Sequence, residues 1–167
     1  MSWFTLFLLL HIAAAIFAFG PTLVFPINGS LIQKNPSALH FGMELNHLIE
    51  SRLVLPLALS MSVTGVAMIL NVGINLTKTI YLDVAIILYV IAVGIALFNQ
   101  IPATKKLIEM SATPPPPGAP PGPPPPAIME QINRAKYGGM VLTVLLFIII
   151  ILMVVKPGGI TAGPLFG

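Results

Sequence analysis

The stretch Leu-Leu-Phe-Ile-Ile-Ile-Ile-Leu-Met-Val-Val, residues 145–155, decides the fold class of this chain. It ends a run from Gly139 to Val155 that carries no charged side chain and is followed by Lys156-Pro157. A helix on the surface of a soluble protein has one polar face, so a helix this apolar on every side indicates that lipid is its solvent. A backbone in hydrocarbon has to satisfy its own hydrogen bonds, which predicts a transmembrane helix rather than a strand.

Three further apolar runs predict transmembrane helices at about residues 3–27, 53–72 and 80–98. All four runs fall within the roughly 17 to 25 residues that a spanning helix needs. The first run does not resemble a cleaved signal peptide, because no Lys or Arg precedes it and it exceeds the usual apolar core of such a peptide. We therefore predict an all-α fold, a four-helix transmembrane bundle in which residues 1–167 form a single integral membrane domain and helix four covers about 139–155.

The composition supports a lipid environment and excludes several kinds of site. Hydrophobic residues make up 56% of the chain and charged residues only 8%, whereas a soluble domain carries about 25% charged residues. The chain has no cysteine, which excludes disulfides, thiolate metal sites, cysteine nucleophiles and thioether-linked haem. We expect its partners to be the lipid bilayer and other membrane protein subunits, and we expect no nucleic acid.

Two connections between the predicted helices are long. Residues 28–52 begin with Asn28-Gly29-Ser30, which is typical of a loop, although residues 37–51 are compatible with a helix that continues into helix two. Residues 113–127 are proline-rich and favour a polyproline II conformation, so they separate helices three and four. That loop is either a semi-rigid spacer or a recognition segment for an aromatic groove.

The basic residues predict the orientation of the chain in the membrane. Six of them lie in the two long connections, against two on the opposite side, which places both connections in the cytoplasm and both termini on the periplasmic side of a bacterial inner membrane. The six are Lys34, Arg52, Lys105, Lys106, Arg134 and Lys136, and the two are Lys78 and Lys156.

Small side chains predict how the helices pack, because they allow helix backbones to approach closely in lipid. Helix one has Ala14 and Ala18, and comparable small residues recur in helices two and three but hardly in helix four. We expect helices one to three to form the tight part of the bundle and helix four to face outward.

His11 is the leading candidate for a functional residue. It lies inside helix one on the face of Ala14 and Ala18, and an ionisable side chain within a membrane helix is costly. A neutral imidazole can ligate haem iron or copper, or transfer protons. The alternative is a structural histidine bonded to a neighbouring hydroxyl, for which Thr64 on helix two lies at a suitable depth.

The other ionisable residues give weaker signals. His40 and His47 lie about 24 Å from His11 along the helix axis, so bis-histidine ligation of one haem within one chain is not expected. Glu44 and His47 resemble half of a di-iron motif, but the chain has no second copy of it. Asp83 lies in the first turn of helix three and points away from the predicted seam.

His11, Gly20-Pro21 and the segment Glu50-Ser51-Arg52-Leu53-Val54-Leu55-Pro56 together resemble a known family. It is a bacterial family of predicted four-helix integral membrane proteins of unknown function, distantly similar to four-helix protoporphyrinogen oxidases and copper-export membrane proteins. The resemblance implies that His11 ligates haem b. The oxidases also use a lysine for haem, and the predicted spans of this chain contain none.

Two functional hypotheses follow. The first is a non-catalytic integral membrane subunit or assembly partner of a larger bacterial membrane complex, in electron transfer. The alternative is a membrane oxidoreductase that binds haem b, with His11 as the axial metal ligand and Arg52 near a haem propionate or a carboxylate substrate. A small transporter or copper-handling protein is a third possibility, which the lack of convergent polar residues at mid-membrane disfavours.

Overall fold

The computed structural model describes residues 2–73, 76, 79–112 and 124–157, and within them the chain is helical with no strand. Each of its four long helices contains an 18-residue window that is apolar enough to cross a membrane. The helices are α1 (Trp3–Lys34), α2 (Pro36–Val72), α3 (Ile80–Ser111) and α4 (Pro126–Val155). The predicted fold class is thus confirmed, and the proline-rich residues 113–123 lie outside the described part.

The helices extend further than the apolar runs, all at the same end of the bundle. We call this the Asn35 end, because Asn35 alone separates α1 from α2 there. The loop predicted to begin at Asn28 is instead helical. The Asn28 amide donates to the carbonyl of Gly42 at 2.9 Å and to Asn46 Oδ1 at 2.8 Å, so contacts with α2 stabilise a segment whose residues favour turns locally.

The Gly20-Pro21 pair, which is typical of a turn, does not interrupt α1. Residues Gly20–Leu23 form one 3₁₀ turn between the α-helical segments Trp3–Phe19 and Val24–Lys34. Proline is tolerated at the first position of a helical turn, where its missing N–H is not needed. The helix therefore continues past both residues with a local change in its pitch.

The two middle helices each contain a π-helical turn, at Glu50–Val54 in α2 and at Ala96–Gln100 in α3. Each turn begins six residues before a proline, Pro56 or Pro102. A proline within a helix leaves a carbonyl of the preceding turn without its usual N–H donor. At the second site Arg134 Nη2 on α4 donates to the carbonyl of Phe98 at 3.3 Å, so a side chain takes the place of a backbone donor.

The bundle consists of two helix pairs, and here the expected packing is partly wrong. The α1–α2 seam contains the predicted Ala14 and Ala18, buried against Met61. However, α4 does not stand apart from a group of three, because it packs along α3 as its main partner. Gly138 of α4 is buried beside the Asn99 and Gln100 side chains, so one of the two small residues that the sequence places at the start of helix four, Gly138 and Gly139, lies at a close approach to α3.

The two pairs are joined at two levels. Near the middle of the spans, the Tyr89 hydroxyl on α3 donates to the carbonyl of Ala58 on α2 at 2.5 Å and lies 2.9 Å from Ser62 Oγ. At the Asn35 end, the helical segment Leu39–Ile49 of α2 packs against Ile101–Ser111 of α3, which in turn contacts α4. The core of the molecule is therefore most continuous at the Asn35 end.

Candidate functional site

His11 is bonded to the hydroxyl that the sequence predicted. Its Nδ1 lies 2.9 Å from Thr64 Oγ1 on α2. The Thr64 hydroxyl has a single hydrogen, which it donates to the backbone carbonyl of Ser60 at 3.0 Å. The hydroxyl also lies 3.2 Å from the carbonyl of Met61, so Thr64 joins the imidazole to the backbone of α2.

The ring of His11 packs against Gly65 of α2. The side chain is half-buried, and a Cβ on Gly65 would lie 3.4 Å from His11 Cε1. A hydrogen bond to one ring nitrogen orients the ring, as it does for many metal-ligating histidines. The bond to Thr64 thus fixes the imidazole of His11 between α1 and α2.

Arg52, the second predicted site residue, is not brought to His11. It lies exposed on the π-helical turn of α2, twelve residues before Thr64, which corresponds to about 18 Å along the helix axis. His40 and His47 are also distant from His11, as expected, because both lie at the Asn35 end.

Glu44, which with His47 resembled half of a di-iron motif, contacts His40 in the structure. Glu44 Oε1 lies 3.5 Å from Nε2 of His40, and His40 Nδ1 donates to the carbonyl of Ile108 at 3.2 Å. His47 makes neither contact, and its Nδ1 is buried without a hydrogen-bond partner. Within the described residues no three His, Asp or Glu side chains are placed to hold a metal ion together.

A buried polar layer at the Asn35 end was not predicted. It contains charged or polar side chains of α2, α3 and α4 that lie in the π-helical turns or beyond them and are buried or half-buried: His47, Glu50, Gln100, Thr104 and Gln131. Glu50, Thr104 and Gln131 are only 7%, 3% and 4% exposed. The contact of His40 Nδ1 with Ser111 Oγ at 3.2 Å sets an antiparallel register that brings His47 opposite Thr104.

The polar layer is incompletely hydrogen-bonded. The buried atoms His47 Nδ1, Gln100 Oε1 and Gln131 Oε1 have no partner among the described residues. Most buried polar groups in proteins have one, and leaving one unpaired costs about 1–3 kcal/mol. The sequence does contain a signal for this layer. Gln100, Thr104 and Leu107 recur at helical spacing on one face of α3, so the two polar side chains share a face with an apolar one that packs in a helix–helix seam.

Four apolar helices, packed through small residues and through a few hydrogen bonds between side chains, define this chain as a helical integral membrane protein. The comparison with protein families agrees. A family model described as "Predicted integral membrane protein (DUF2269)" matches residues 5–157, and the chain belongs to this family. No curated protein and no solved structure matched the chain.

Proposed function

We propose that the chain is a non-catalytic integral membrane subunit or assembly partner of a larger complex in the bacterial inner membrane, and that this complex carries out electron transfer. One observation supports a subunit role: only a small fraction of the residues in each apolar window is buried by the rest of the chain. In the apolar windows of α2, α3 and α4, 6% of the residues are fully buried, and in that of α1 11%. A helix packed into a bundle buries a stripe about 100° wide, which is more than a quarter of its residues.

The outer face of α4 is the surface we assign to the partner. Phe147, Ile151 and Val154 are 54%, 56% and 75% exposed and follow one another at helical spacing. Ile149, on the opposite side of α4, is buried against the rest of the chain. A stripe of large apolar side chains opposite the packed face is suited to another transmembrane helix.

The subunit proposal is tested in membranes solubilised with a mild detergent. We expect the chain to migrate on blue-native gels with other polypeptides, well above its own mass of 17.8 kDa. A photo-crosslinking amino acid at Ile151 should capture a membrane protein, whereas the same group at Leu70, which is exposed on α2, serves as the control. Migration as a free monomer with no crosslink at either position would contradict the proposal.

The second candidate function, a haem-b oxidoreductase, is supported by one observation, the imidazole of His11 held by Thr64 within the apolar part of the bundle. His11 would hold the haem iron, and haem would supply one-electron transfer. Thr64 would hold the imidazole ring in place, as hydrogen-bond partners of metal-ligating histidines do.

The absorption spectrum of the purified protein tests this second function. A Soret band that is lost in His11→Ala and kept in His40→Ala would support it. Either the absence of a Soret band or a band that is unchanged in His11→Ala would exclude haem ligation by His11. Both results can be obtained whether or not a partner is found, so the two proposals are tested separately.

A further inference from the structure

The guanidinium of Arg134 is held in place between α3 and α4. Its Nε donates to Asn99 Oδ1 at 2.8 Å and its Nη2 to the carbonyl of Phe98 at 3.3 Å. Asn99 returns a bond from Nδ2 to the carbonyl of Arg134 at 3.4 Å. Because an arginine side chain has five N–H donors, three of them have no partner among the described residues. No carboxylate pairs with Arg134 in the described part of the chain either, so its charge is not compensated there.

An apolar groove begins one helical turn from Arg134. It is a shallow and open depression of about 320 Å³, lined on α4 alone by Tyr137, Met140, Val141, Val144 and Leu145. Residues three, seven and eleven positions apart lie on similar sides of a helix, and Tyr137, Val141 and Leu145 are at these distances from Arg134. The arginine and the groove therefore lie in line along α4.

The dimensions of this surface correspond to one leaflet of a bilayer. From Arg134 to Leu145 the helix rises about 16 Å, roughly half of the 30 Å hydrocarbon core. Tyr137 is 61% exposed and lies at the end of the apolar run, where aromatic side chains are enriched at the boundary with the headgroups. Arg134 is then at the level of the lipid phosphates.

We propose that Arg134 and the groove from Tyr137 to Leu145 bind an anionic phospholipid, with the phosphate on the free N–H groups of Arg134 and an acyl chain in the groove. The planar guanidinium matches a phosphate, which can accept two of its hydrogens at once. The bonds to Asn99 and Phe98 fix the guanidinium before the lipid arrives, so little side-chain entropy is lost on binding. This lipid site does not require a partner, although Met140 and Val144 continue the stripe of Phe147 and Ile151 at helical spacing.

Native mass spectrometry of the purified chain tests the proposal, with phosphatidylglycerol and phosphatidylcholine titrated separately. We expect tighter binding of phosphatidylglycerol, and a loss of about five-fold in its affinity in Arg134→Gln, as expected for one basic residue near a membrane surface. Arg134→Lys should keep part of the preference, since it keeps the charge but not the planar fork. Lys136→Gln is the matched control, because Lys136 is exposed on a different side of the same turn and should leave the affinity unchanged.

A second variant separates lipid binding from the packing of α3 and α4. Val141→Trp fills the groove without touching Asn99, and it should weaken binding of phosphatidylglycerol although Arg134 is intact. Glycerol phosphate, which lacks acyl chains, should not compete. Equal affinity for the two lipids, an equal loss in Lys136→Gln and Arg134→Gln, or unchanged binding in Val141→Trp would each overturn the proposal.

Discussion

His11 Nδ1 and Thr64 Oγ1, 2.9 Å apart, join α1 to α2 within the apolar part of the bundle. Thr64 also donates to the backbone of its own helix, so the interaction fixes the position of the imidazole. This small network connects the packing of the first helix pair to the one histidine that lies within the four predicted apolar runs.

Removing the Thr64 hydroxyl should destabilise the α1–α2 pair. Thr64→Val keeps the shape of the side chain but leaves His11 Nδ1 without its hydrogen-bond partner. We expect a loss of about 0.6 to 1.7 kcal/mol in the free energy of unfolding, the range found for hydrogen bonds between membrane helices. Unfolding in mixed micelles with increasing denaturing detergent measures it, and Thr64→Ser, which keeps the hydroxyl, should show a smaller loss.

A side chain at Gly138 should push α3 and α4 apart. A Cβ there would overlap the Asn99 amide nitrogen and lie 2.8 Å from Gln100 Oε1. Asn99 cannot move freely because it is bonded to Arg134, so Gly138→Ala should destabilise the fold by about 1–3 kcal/mol, as overpacking does.

Gly94→Ala is the control for this effect in the same unfolding assay. No atom lies within 4 Å of the Cβ that would be added at Gly94, and alanine favours helix over glycine by about 0.8–1 kcal/mol in a soluble helix. This variant should therefore be as stable as the original chain or more so. A Gly138→Ala variant with the stability of Gly94→Ala would show that α3 and α4 do not approach closely there.

Tyr89→Phe should loosen the contact between the two helix pairs. The substitution removes the hydrogen bond to the carbonyl of Ala58 and leaves the aromatic ring. The absence of cysteine allows spin labels to be placed uniquely at Leu70→Cys and Ile87→Cys, both exposed positions. Pulsed electron paramagnetic resonance should then show a broader distance distribution than in the parent, and Tyr81→Phe, which removes no observed hydrogen bond, should not.

The orientation in the membrane is also open to a cysteine-based measurement. We expect Pro157→Cys to react with a membrane-impermeant maleimide in intact cells, because the charge distribution places the termini on the periplasmic side. Ser37→Cys, at the Asn35 end, should react only after the membrane is permeabilised. The reverse pattern of labelling would show that the termini lie in the cytoplasm and would contradict the predicted orientation.

The spans themselves could be predicted because lipid imposes one simple requirement, an apolar helix long enough to cross. The Thr64 partner of His11 could also be predicted, since two antiparallel helices place residues at matching depths. What could not be predicted is the helical continuation beyond the lipid. Asn28 favours a turn when only its neighbours are considered, and it becomes helical through its bonds to Gly42 and Asn46.

The pairing of α3 with α4 was missed for a related reason. A count of small residues per helix favours α1 to α3, whereas α4 approaches α3 closely at one buried glycine, Gly138. The π-helical turns could not be predicted either. A proline in a sequence shows that one backbone hydrogen bond is missing, but not how the chain compensates for it.

The lengths of the helices have a mechanical consequence. The 37 residues of α2 correspond to about 55 Å, roughly 25 Å more than the hydrocarbon core. At the Asn35 end this excess packs against the extension of α3, which in turn contacts α4. The bundle therefore projects beyond the lipid as packed helices, and a load applied there would be shared among them rather than borne by a single chain segment.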